Sequence, residues 1–250
     1  MTSAIVAGLG SAKLEAHSIW LSPRNPVLAE DLASRFANVS VASSNQEVLD
    51  RCTTVVLAVR PQIARTVLSE LRFRPDHHVI SIISSISLPT LSELVAPAQK
   101  IVRAVPLPSA AKKRSPTAIY PRDSVAVDLF AVLGTAFEVV TERDFDALCA
   151  ATATIASYFA FAQSIASWLE RQGIRQVDAR EYMARIFSGL AAAALEAPGL
   201  SFERLAADYA TRGGINEQVL AHLTRGGVFD RVAEGLDAVM LRIAGPSKRG

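Results

Sequence analysis

The chain has 250 residues, of which 50% are hydrophobic and 20% are charged, a composition that excludes a disordered protein and suits one large or two modest domains. Lys and Arg number 26 against 24 Asp and Glu, so a net charge of only +2 argues against a nucleic-acid or lipid-binding surface. Cys52 and Cys149 lie 97 positions apart without a nearby His at metal-ligand spacing, so we expect no metal site and favour a reducing, cytoplasmic location.

The first half of the chain alternates short apolar runs with amphipathic stretches, the pattern of βα units in a parallel sheet. The run over 53–59 is the clearest strand, because a continuous β-branched segment is typical of a strand buried on both faces. Pro106 and Pro108 should end regular structure after the fifth strand. The predicted strands are 17–22, 39–42, 53–59, 78–84, 100–105, 117–120 and 136–140, and the predicted helices are 26–36, 61–71, 90–95 and 125–133.

From about Asp144 the strand pattern ends, and apolar residues recur at helical spacing almost to Ile243. We therefore predict a Rossmann-like sheet domain over 1–143 and an all-helical domain over 144–250, with a frayed tail over 245–250. Residues 147–169 are uncharged over 23 positions, but six Ser, Thr or Gln side chains favour a helix buried between subunits over a membrane span. Helix ends are expected where Gly or Pro interrupts the pattern, at 172–173, 197–199, 212–214 and 225–227.

A sheet followed by helices is common in nicotinamide-dependent enzymes, in which a Gly-rich loop binds the pyrophosphate at a helix N-terminus. The one candidate is Gly8-Leu9-Gly10, which has Lys13 in place of the third glycine of G-x-G-x-x-G. A strand over 3–7 would leave about six residues for a crossover that normally needs ~10 or more. We therefore favour a helix from Thr2 to Leu9, with the first strand and its loop missing. A start codon assigned too late, a truncated chain and a divergent protein would each explain this.

The residues that follow the strand predicted over 17–22 indicate whether the cofactor is NAD or NADP. NAD-preferring sites usually place an acidic residue there to bind the ribose 2′-hydroxyl, whereas this chain has Ser22, Pro23, Arg24 and Asn25. A hydroxyl, a guanidinium and an amide suit a 2′-phosphate, and no carboxylate repels it. These residues favour NADP(H) over NAD(H), or else they form a solvated turn.

Three segments together resemble one enzyme family: SAIVAGL at 3–9, VVLAVRPQ at 55–62 and TRGGINEQ at 211–218. In this order and spacing, nearly the whole chain resembles pyrroline-5-carboxylate reductase. The resemblance implies that hydride from NADPH reduces a cyclic imine carboxylate, 1-pyrroline-5-carboxylate, to proline in the last step of proline biosynthesis. It also implies helical domains that pair into a homodimer or a higher oligomer. The family's opening strand and Gly-rich loop would precede Ser3, in agreement with a missing first strand.

The resemblance also implies where the cofactor binds. LAVRPQ is similar to the family's L-A-V-K-P-Q, whose loop lines the nicotinamide, so the expected contacts there are Ala58, Val59, Arg60 and Pro61. Ser22, Arg24 and Asn25 would hold the 2′-phosphate. The family's M-P-N-T-P is similar to residues 105–109, where Leu107 replaces the Asn and removes a polar cofactor contact.

Two further segments supply the substrate residues that the resemblance implies. The family's S-G-S-G-P-A-Y is similar to 152–158, where Thr152 and Thr154 keep hydroxyls but the Gly and Pro are lost, so the segment can continue as plain helix. The family's P-G-G-T-T is similar to 212–216, where the N–H groups of Gly213 and Gly214 could hold a carboxylate. Asn216 stands where a hydroxyl residue is thought to bond near the imine nitrogen. Because an amide is a poor proton donor, water or the protonated iminium would have to supply the proton.

Thr154 and Asn216 are thus the predicted catalytic residues. The departures from the family motifs leave two alternatives open. One is a non-catalytic dimeric relative that binds a nucleotide or a small carboxylate, and the other is a reductase of another imine or carbonyl.

Overall fold

The computed structural model describes residues 1–10 and 18–244. Its contacts divide the chain into two compact units, of which the first contains Met1–Ala150 and the described residues from Met240 onward, and the second is Ala151–Val239. A boundary at residue 143 between a cofactor domain and a substrate domain remains a prediction, because compactness assigns no function to either unit. Lys13, the first residue of the strand predicted over 17–22 and the tail predicted to fray over 245–250 lie outside the described residues.

Strands and helices alternate along the first unit, as the spacing of the apolar runs predicts. The strands are β1 (Ile19–Leu21), β2 (Val39–Val41), β3 (Thr54–Leu57), β4 (His78–Ser81), β5 (Lys100–Val105), β6 (Ser115–Tyr120) and β7 (Gly134–Glu138). The helices are α1 (Thr2–Gly10), α2 (Pro26–Arg35), α3 (Asn45–Arg51), α4 (Pro61–Ser69), α5 (Leu88–Leu94), a 3₁₀ helix (Pro108–Lys112), α6 (Ser124–Ala131) and α7 (Glu142–Ala151). Neither α3 nor the 3₁₀ helix was predicted from the sequence.

The strands form two sheets. β1 pairs with β2 in a parallel sheet of two strands, and the other five strands form a sheet in the order β3-β4-β5-β6-β7. β6 runs antiparallel to β5, which corrects the expectation of a fully parallel sheet. The cause is the short connection after β5, which cannot form the crossover that a parallel pair needs. The parallel-dominated sheet with helices is otherwise the predicted α/β fold.

β3 is an edge strand of the described sheet, and its side-chain burial shows that the expectation of a run buried on both faces is wrong. Val55 and Leu57 are buried, whereas Val56 is 37% exposed. The carbonyl oxygens of Thr53 and Leu57 accept hydrogen bonds from His78 N, at the start of β4, and from Ile82 N, directly after it. Because parallel ladders use alternate residues, the backbone polar groups of Thr54 and Val56 turn to the open edge. Within the described residues no ladder joins β3 to β1.

Helix α1 packs on both sheets, and its presence confirms the helix predicted from Thr2. Ile5 and Leu9 belong to the core on one face of the five-stranded sheet. Val6 instead packs with Leu21 of β1 and with side chains of α2 and β2. Side chains of α1 therefore join the two sheets. On the opposite face of the larger sheet, α3, α4 and α5 cover β3 and β4 with a second core.

Gly8 and Gly10 lie inside α1, where they permit close packing. A Cβ at Gly8 would collide with the Ala110 carbonyl oxygen and lie 2.5 Å from Leu133 Cδ2. A Cβ at Gly10 would collide with the Phe36 ring. Close packing therefore explains the two glycines of the G-x-G match. They do not form a loop that precedes a helix.

The remaining helices confirm all four predicted interruptions in the second half of the chain. An uninterrupted helix over 152–158 is wrong, however, since α7 ends at Ala151 and Thr152 and Ala153 form a turn. The Thr154 hydroxyl donates to the Ala151 carbonyl oxygen at 2.8 Å, a side-chain bond that competes with the regular helical ladder. The helices after the turn are α8 (Thr154–Arg171), α9 (Gln176–Glu196), α10 (Phe202–Tyr209), α11 (Ile215–Arg225) and α12 (Val228–Ala244).

The stretch Glu142–Arg171 is the one segment of the described chain that is long and apolar enough to cross a membrane, and 17% of its most apolar window is buried. Length and composition alone make this weak evidence for a span. Large apolar side chains on α8 are exposed, among them Phe159, Phe161 and Trp168.

Two glycine substitutions test the packing of α1. Gly8→Ala should destabilise the protein by about 1–3 kcal/mol, because the Ala110 backbone cannot move aside cheaply. Gly189→Ala is the matched control, since Gly189 lies inside α9 with nothing within 4 Å of an added Cβ. This control should be stabilised by about 0.5–1 kcal/mol. Urea unfolding followed by circular dichroism measures both, and equal stability of the two variants would contradict the assigned role of Gly8.

Candidate functional site

Exposed polar side chains follow β1 and β2 where these strands end. The Ser22 hydroxyl donates to Asn45 Oδ1 at 2.6 Å and accepts from the Arg24 backbone N–H at 3.3 Å. Asn25 Oδ1 caps α2 by accepting from Leu28 N at 3.2 Å, so its amide nitrogen is the group that can donate to a ligand. The Arg24 side chain is exposed. The carboxyl ends of parallel neighbouring strands meet at one edge of a sheet, where ligands bind in open α/β folds. The Arg24 guanidinium and the Asn25 amide at this edge could therefore bind a phosphate.

A second network fixes the turn between β2 and α3. Glu47 Oε2 accepts from the backbone N–H and the hydroxyl of Ser43, both at 2.6 Å, and Glu47 Oε1 accepts from Arg51 Nε at 2.7 Å. The Arg51 guanidinium lies 4.1 Å from the centroid of the Trp20 ring. The Ser43 hydroxyl and backbone bonds, followed by the Arg51 bond, lower the pKa of Glu47 to about 2. The nearby carboxylate is therefore fully engaged within the fold.

The segment expected at the nicotinamide follows β3 directly. Ala58 and Arg60 are exposed, and Val59 and Pro61 are half-buried. Arg60 is the N-cap residue of α4 and makes no side-chain cap bond, while Pro61 occupies the first helical position. The guanidinium of Arg60 is therefore not consumed by capping.

In the second unit, the predicted substrate residues begin two different helices. Thr152 and Thr154 are half-buried at the turn before α8, and the Thr154 hydroxyl proton is already donated to Ala151. Gly213 and Gly214 precede α11, and Gly213 adopts a φ of 74°, which glycine tolerates without strain.

The polar groups before α11 are bonded within the loop. The Gly213 N–H donates to Glu217 Oε2 at 2.7 Å, and the Gly214 N–H donates to the Thr211 carbonyl oxygen at 2.8 Å. Asn216 Nδ2 donates to the Tyr209 carbonyl oxygen at 3.0 Å. Glu217 resembles the acidic residue of a capping box, which reaches back to a backbone N–H ahead of its helix. A carboxylate of the chain itself thus occupies the N–H that we predicted for a substrate carboxylate.

An apolar cavity of about 520 Å³ lies between α8, α9 and α10. Tyr158, the aromatic residue retained in the 152–158 segment, lines it together with Phe187 and Tyr209. The Tyr158 and Phe187 rings meet edge to face with centroids 5.3 Å apart.

Neither cysteine is an activated nucleophile, because burial raises the pKa of the Cys52 and Cys149 thiols. The described part of the chain holds no cluster of three or more His, Cys, Asp or Glu side chains that could bind a metal ion.

Comparison with known proteins finds a family match in each of the two halves of the chain. Residues 1–85 match the family described as NADP oxidoreductase, coenzyme F420-dependent, and residues 142–245 match the pyrroline-5-carboxylate reductase dimerisation family. Pyrroline-5-carboxylate reductase 3 of Xenopus laevis is 26% identical over 209 residues, which cover 79% of this chain and 75% of that protein. The 1-pyrroline-5-carboxylate reductase of Streptococcus pyogenes superposes with a TM-score of 0.84 and 25% identity, over 97% of this chain and 94% of that one. The two family models, the curated relative and the solved structure together support membership of the chain in the pyrroline-5-carboxylate reductase family.

Another solved structure, the Plasmodium falciparum pyrroline carboxylate reductase with NADP bound, shares the fold with a TM-score of 0.79 and 21% identity, over 96% of this chain and 92% of that one. The family is a nicotinamide-dependent oxidoreductase family, and the match to its dimerisation domain supports homo-oligomerisation of this chain. Family membership therefore confirms the resemblance and the α/β fold with a C-terminal helical domain.

Sequence reasoning missed two polar residues that this chain presents at its candidate sites. Asn45 bonds Ser22 across the two strand ends, and Glu217 bonds Gly213. The S-x-x-E spacing of Ser44 and Glu47 could have revealed α3 and with it the position of Asn45. The spacing of Gly213 and Glu217 could likewise have indicated a capped helix.

The lowered pKa of Glu47 predicts a pH-dependent stability. Its folded pKa of about 2 lies below the ordinary value of 4.5, so the stabilisation is present above pH 4.5 and is lost as the pH falls through 2. Glu47→Gln should therefore lower Tm at pH 7, and the difference from the unchanged protein should shrink as the pH approaches 2. Scanning calorimetry across this range measures it. Glu30→Gln on the exposed side of α2 is the control, and an equal trend there would refute the assignment.

Proposed function

We propose that the chain is an NADPH-dependent reductase that converts 1-pyrroline-5-carboxylate to proline in the cytoplasm, as a homodimer or a larger homo-oligomer. The observation that carries the proposal is the cluster of Ser22, Arg24 and Asn45 at the carboxyl ends of two parallel strands, in a chain of this family. The Arg24 guanidinium and the Asn45 amide nitrogen can donate to the 2′-phosphate, and the Ser22 hydroxyl can do so by exchanging its bond to Asn45 Oδ1. Asn25 adds a second amide donor.

The residues present fit the phosphate end of NADP. Arg24 is exposed and can bind a phosphate through two N–H groups, and the nearby Glu47 carboxylate is held by Ser43 and Arg51. Gly8 and Gly10 are excluded from a pyrophosphate-binding role, because they pack inside α1.

NADPH would supply the hydride, and the chain would align donor and acceptor. Ala58 to Pro61 would form the edge of the nicotinamide site, where Pro61 and the end of β3 restrict the backbone. Thr152 and Thr154 would accept hydrogen bonds from the substrate. Asn216 would orient the imine nitrogen, with water or the protonated iminium carrying the proton.

The substrate carboxylate would take the Gly213 N–H in place of Glu217. An exposed glutamate can turn away from this bond, since the loop at Gly213 is open to solvent. The same observation favours one alternative function, reduction of an imine that lacks a carboxylate, because such a substrate would leave Glu217 where it is. A non-catalytic relative that binds a nucleotide or a small carboxylate would bind NADPH or proline without turnover.

The exposed aromatic side chains of α8 support assembly of the helical halves. Phe159 is 65% exposed and Trp168 is 52% exposed. Covering such surface with a second copy would remove apolar area from water, which is how obligate dimers gain stability.

Arg24→Ala tests the cofactor. Loss of a charge-assisted phosphate contact should raise the KM for NADPH about tenfold or more, with little change for NADH. Steady-state kinetics with both cofactors measure this, and Arg35→Ala on the exposed end of α2 is the control. An equal rise for both cofactors would mean that Arg24 does not read the phosphate.

Glu217→Gln tests the substrate site. Removing the competing carboxylate should lower the KM for 1-pyrroline-5-carboxylate about threefold to tenfold, without changing the KM for 1-pyrroline, which has no carboxylate. Glu203→Gln in the first turn of α10 is the matched control. An unchanged KM for the carboxylated imine, beside efficient reduction of 1-pyrroline, would favour the alternative substrate class.

A further inference from the structure

Arg103 is a charged side chain in the interior of the first unit. It lies on β5, opposite Ser81 of β4 and Tyr120 of β6, and only 1% of it is exposed. Burial of a guanidinium is unfavourable unless the group is paired and hydrogen-bonded. The partners of Arg103 therefore indicate the structural role of its buried charge.

The partners of Arg103 come from one face of α7 and from the loop after β4. Its Nη1 lies 2.7 Å from Glu142 Oε1 and 3.0 Å from Asp146 Oδ1. Its guanidinium lies 4.4 Å from the centroid of the Phe145 ring, and its Nη2 donates to the Ser84 carbonyl oxygen at 3.2 Å. The three residues of α7 are spaced i, i+3 and i+4, so they share one face of the helix.

This cluster holds the loop over 82–87 at two points. The Ser84 carbonyl oxygen also accepts from Cys149 Sγ at 3.8 Å. Glu142 Oε1 accepts from the backbone N–H of Leu88, the first residue of α5, at 2.6 Å. The carboxylate that pairs with Arg103 thus also fixes the residue where the loop ends.

The loop leaves the sheet beside the segment proposed to contact the nicotinamide. β3 and β4 are parallel neighbours, and Ile82 N donates to the Leu57 carbonyl oxygen at 3.0 Å where both strands end. The segments over 58–61 and 82–87 therefore emerge side by side. Ligands of open α/β sheets bind outside these carboxyl ends.

We propose that Arg103 and Glu142 are positioning residues that hold the loop over 82–87 as a wall of the nicotinamide site. The inference rests on the proposed use of NADPH. Arg103 acts through the loop, because its planar group donates hydrogen bonds to the Ser84 carbonyl oxygen and the Glu142 carboxylate while forming an ion pair with Asp146. A lysine at this position would keep the charge but lose the simultaneous contacts.

Arg103→Lys tests the proposal against a matched control, Arg74→Lys. Arg74 also donates to backbone carbonyl oxygens, those of Leu49 and Cys52, but it does so before the amino end of β3. Calorimetry of the full chain would use two probes, NADPH and adenosine 2′,5′-bisphosphate, which lacks the nicotinamide. Arg103→Lys should bind NADPH about tenfold more weakly and the bisphosphate unchanged, whereas Arg74→Lys should change neither by more than about twofold.

Glu142→Gln provides a second variant, which should show the same pattern with a smaller loss and decides the question if Arg103→Lys does not fold. Unchanged NADPH affinity in either folded variant, or equal weakening of both probes, would overturn the proposal. If the unchanged protein binds NADPH but reduces no imine, the proposed reaction is wrong and the binding comparison still decides the role of Arg103. Failure of the unchanged protein to bind NADPH would overturn both.

Discussion

The first unit depends on the packing of α1 against two separate sheets. β1 and β3 share no backbone ladder in the described chain, so Ile5, Val6 and Leu9 make the connection through their side chains. Full burial of an apolar side chain of this size is worth about 1.5–3 kcal/mol, so three of them make a substantial contribution. The approach is possible because Gly8 has no Cβ to meet the Ala110 carbonyl oxygen.

This constraint also determines how the candidate cofactor residues are held. Ser22 to Asn25 follow a strand of the small sheet, and Ala58 to Pro61 follow an edge strand of the large one. A ladder would fix the spacing of these segments by directional hydrogen bonds, whereas packing on α1 fixes it by shape. Each segment is therefore stabilised locally. Asn25 caps α2, and Ser43, Glu47 and Arg51 fix the neighbouring turn.

The sequence predicts those parts of the fold that depend on local pattern. β5 has the predicted bounds, and the helix breaks at Gly173 and Gly213 are where glycine allows a positive φ. Features that depend on distant partners are not predictable in this way. The exposure of Val56 depends on which elements cover its face of the sheet, and the direction of β6 follows from the length of one connection. Such facts have no periodic signal.

The residues of the candidate site likewise differ in whether local sequence or distant contacts determine them. Ser22 and Arg24 were predicted from residue chemistry beside a strand end, which is local information. Asn45 was not, because its contact with Ser22 spans 23 positions and two strands. Arg103 is the extreme case, since a single arginine within an apolar strand gives no indication of the acidic residues 39 and more positions later that make its burial possible.

The departures from the family motifs are accompanied by new local bonds in the second unit. The Thr154 hydroxyl bonds Ala151, Asn216 bonds the Tyr209 carbonyl oxygen, and Glu217 bonds Gly213. Each bond satisfies a donor that a ligand could otherwise use, so binding must exchange one hydrogen bond for another and gains less free energy than filling an unsatisfied site would. Glu217 adds a negative charge to this exchange, which weighs more heavily on an anionic substrate than on a neutral or cationic imine. If the loop before α11 binds the substrate carboxylate as proposed, the bond between Glu217 and Gly213 would disfavour an anionic substrate.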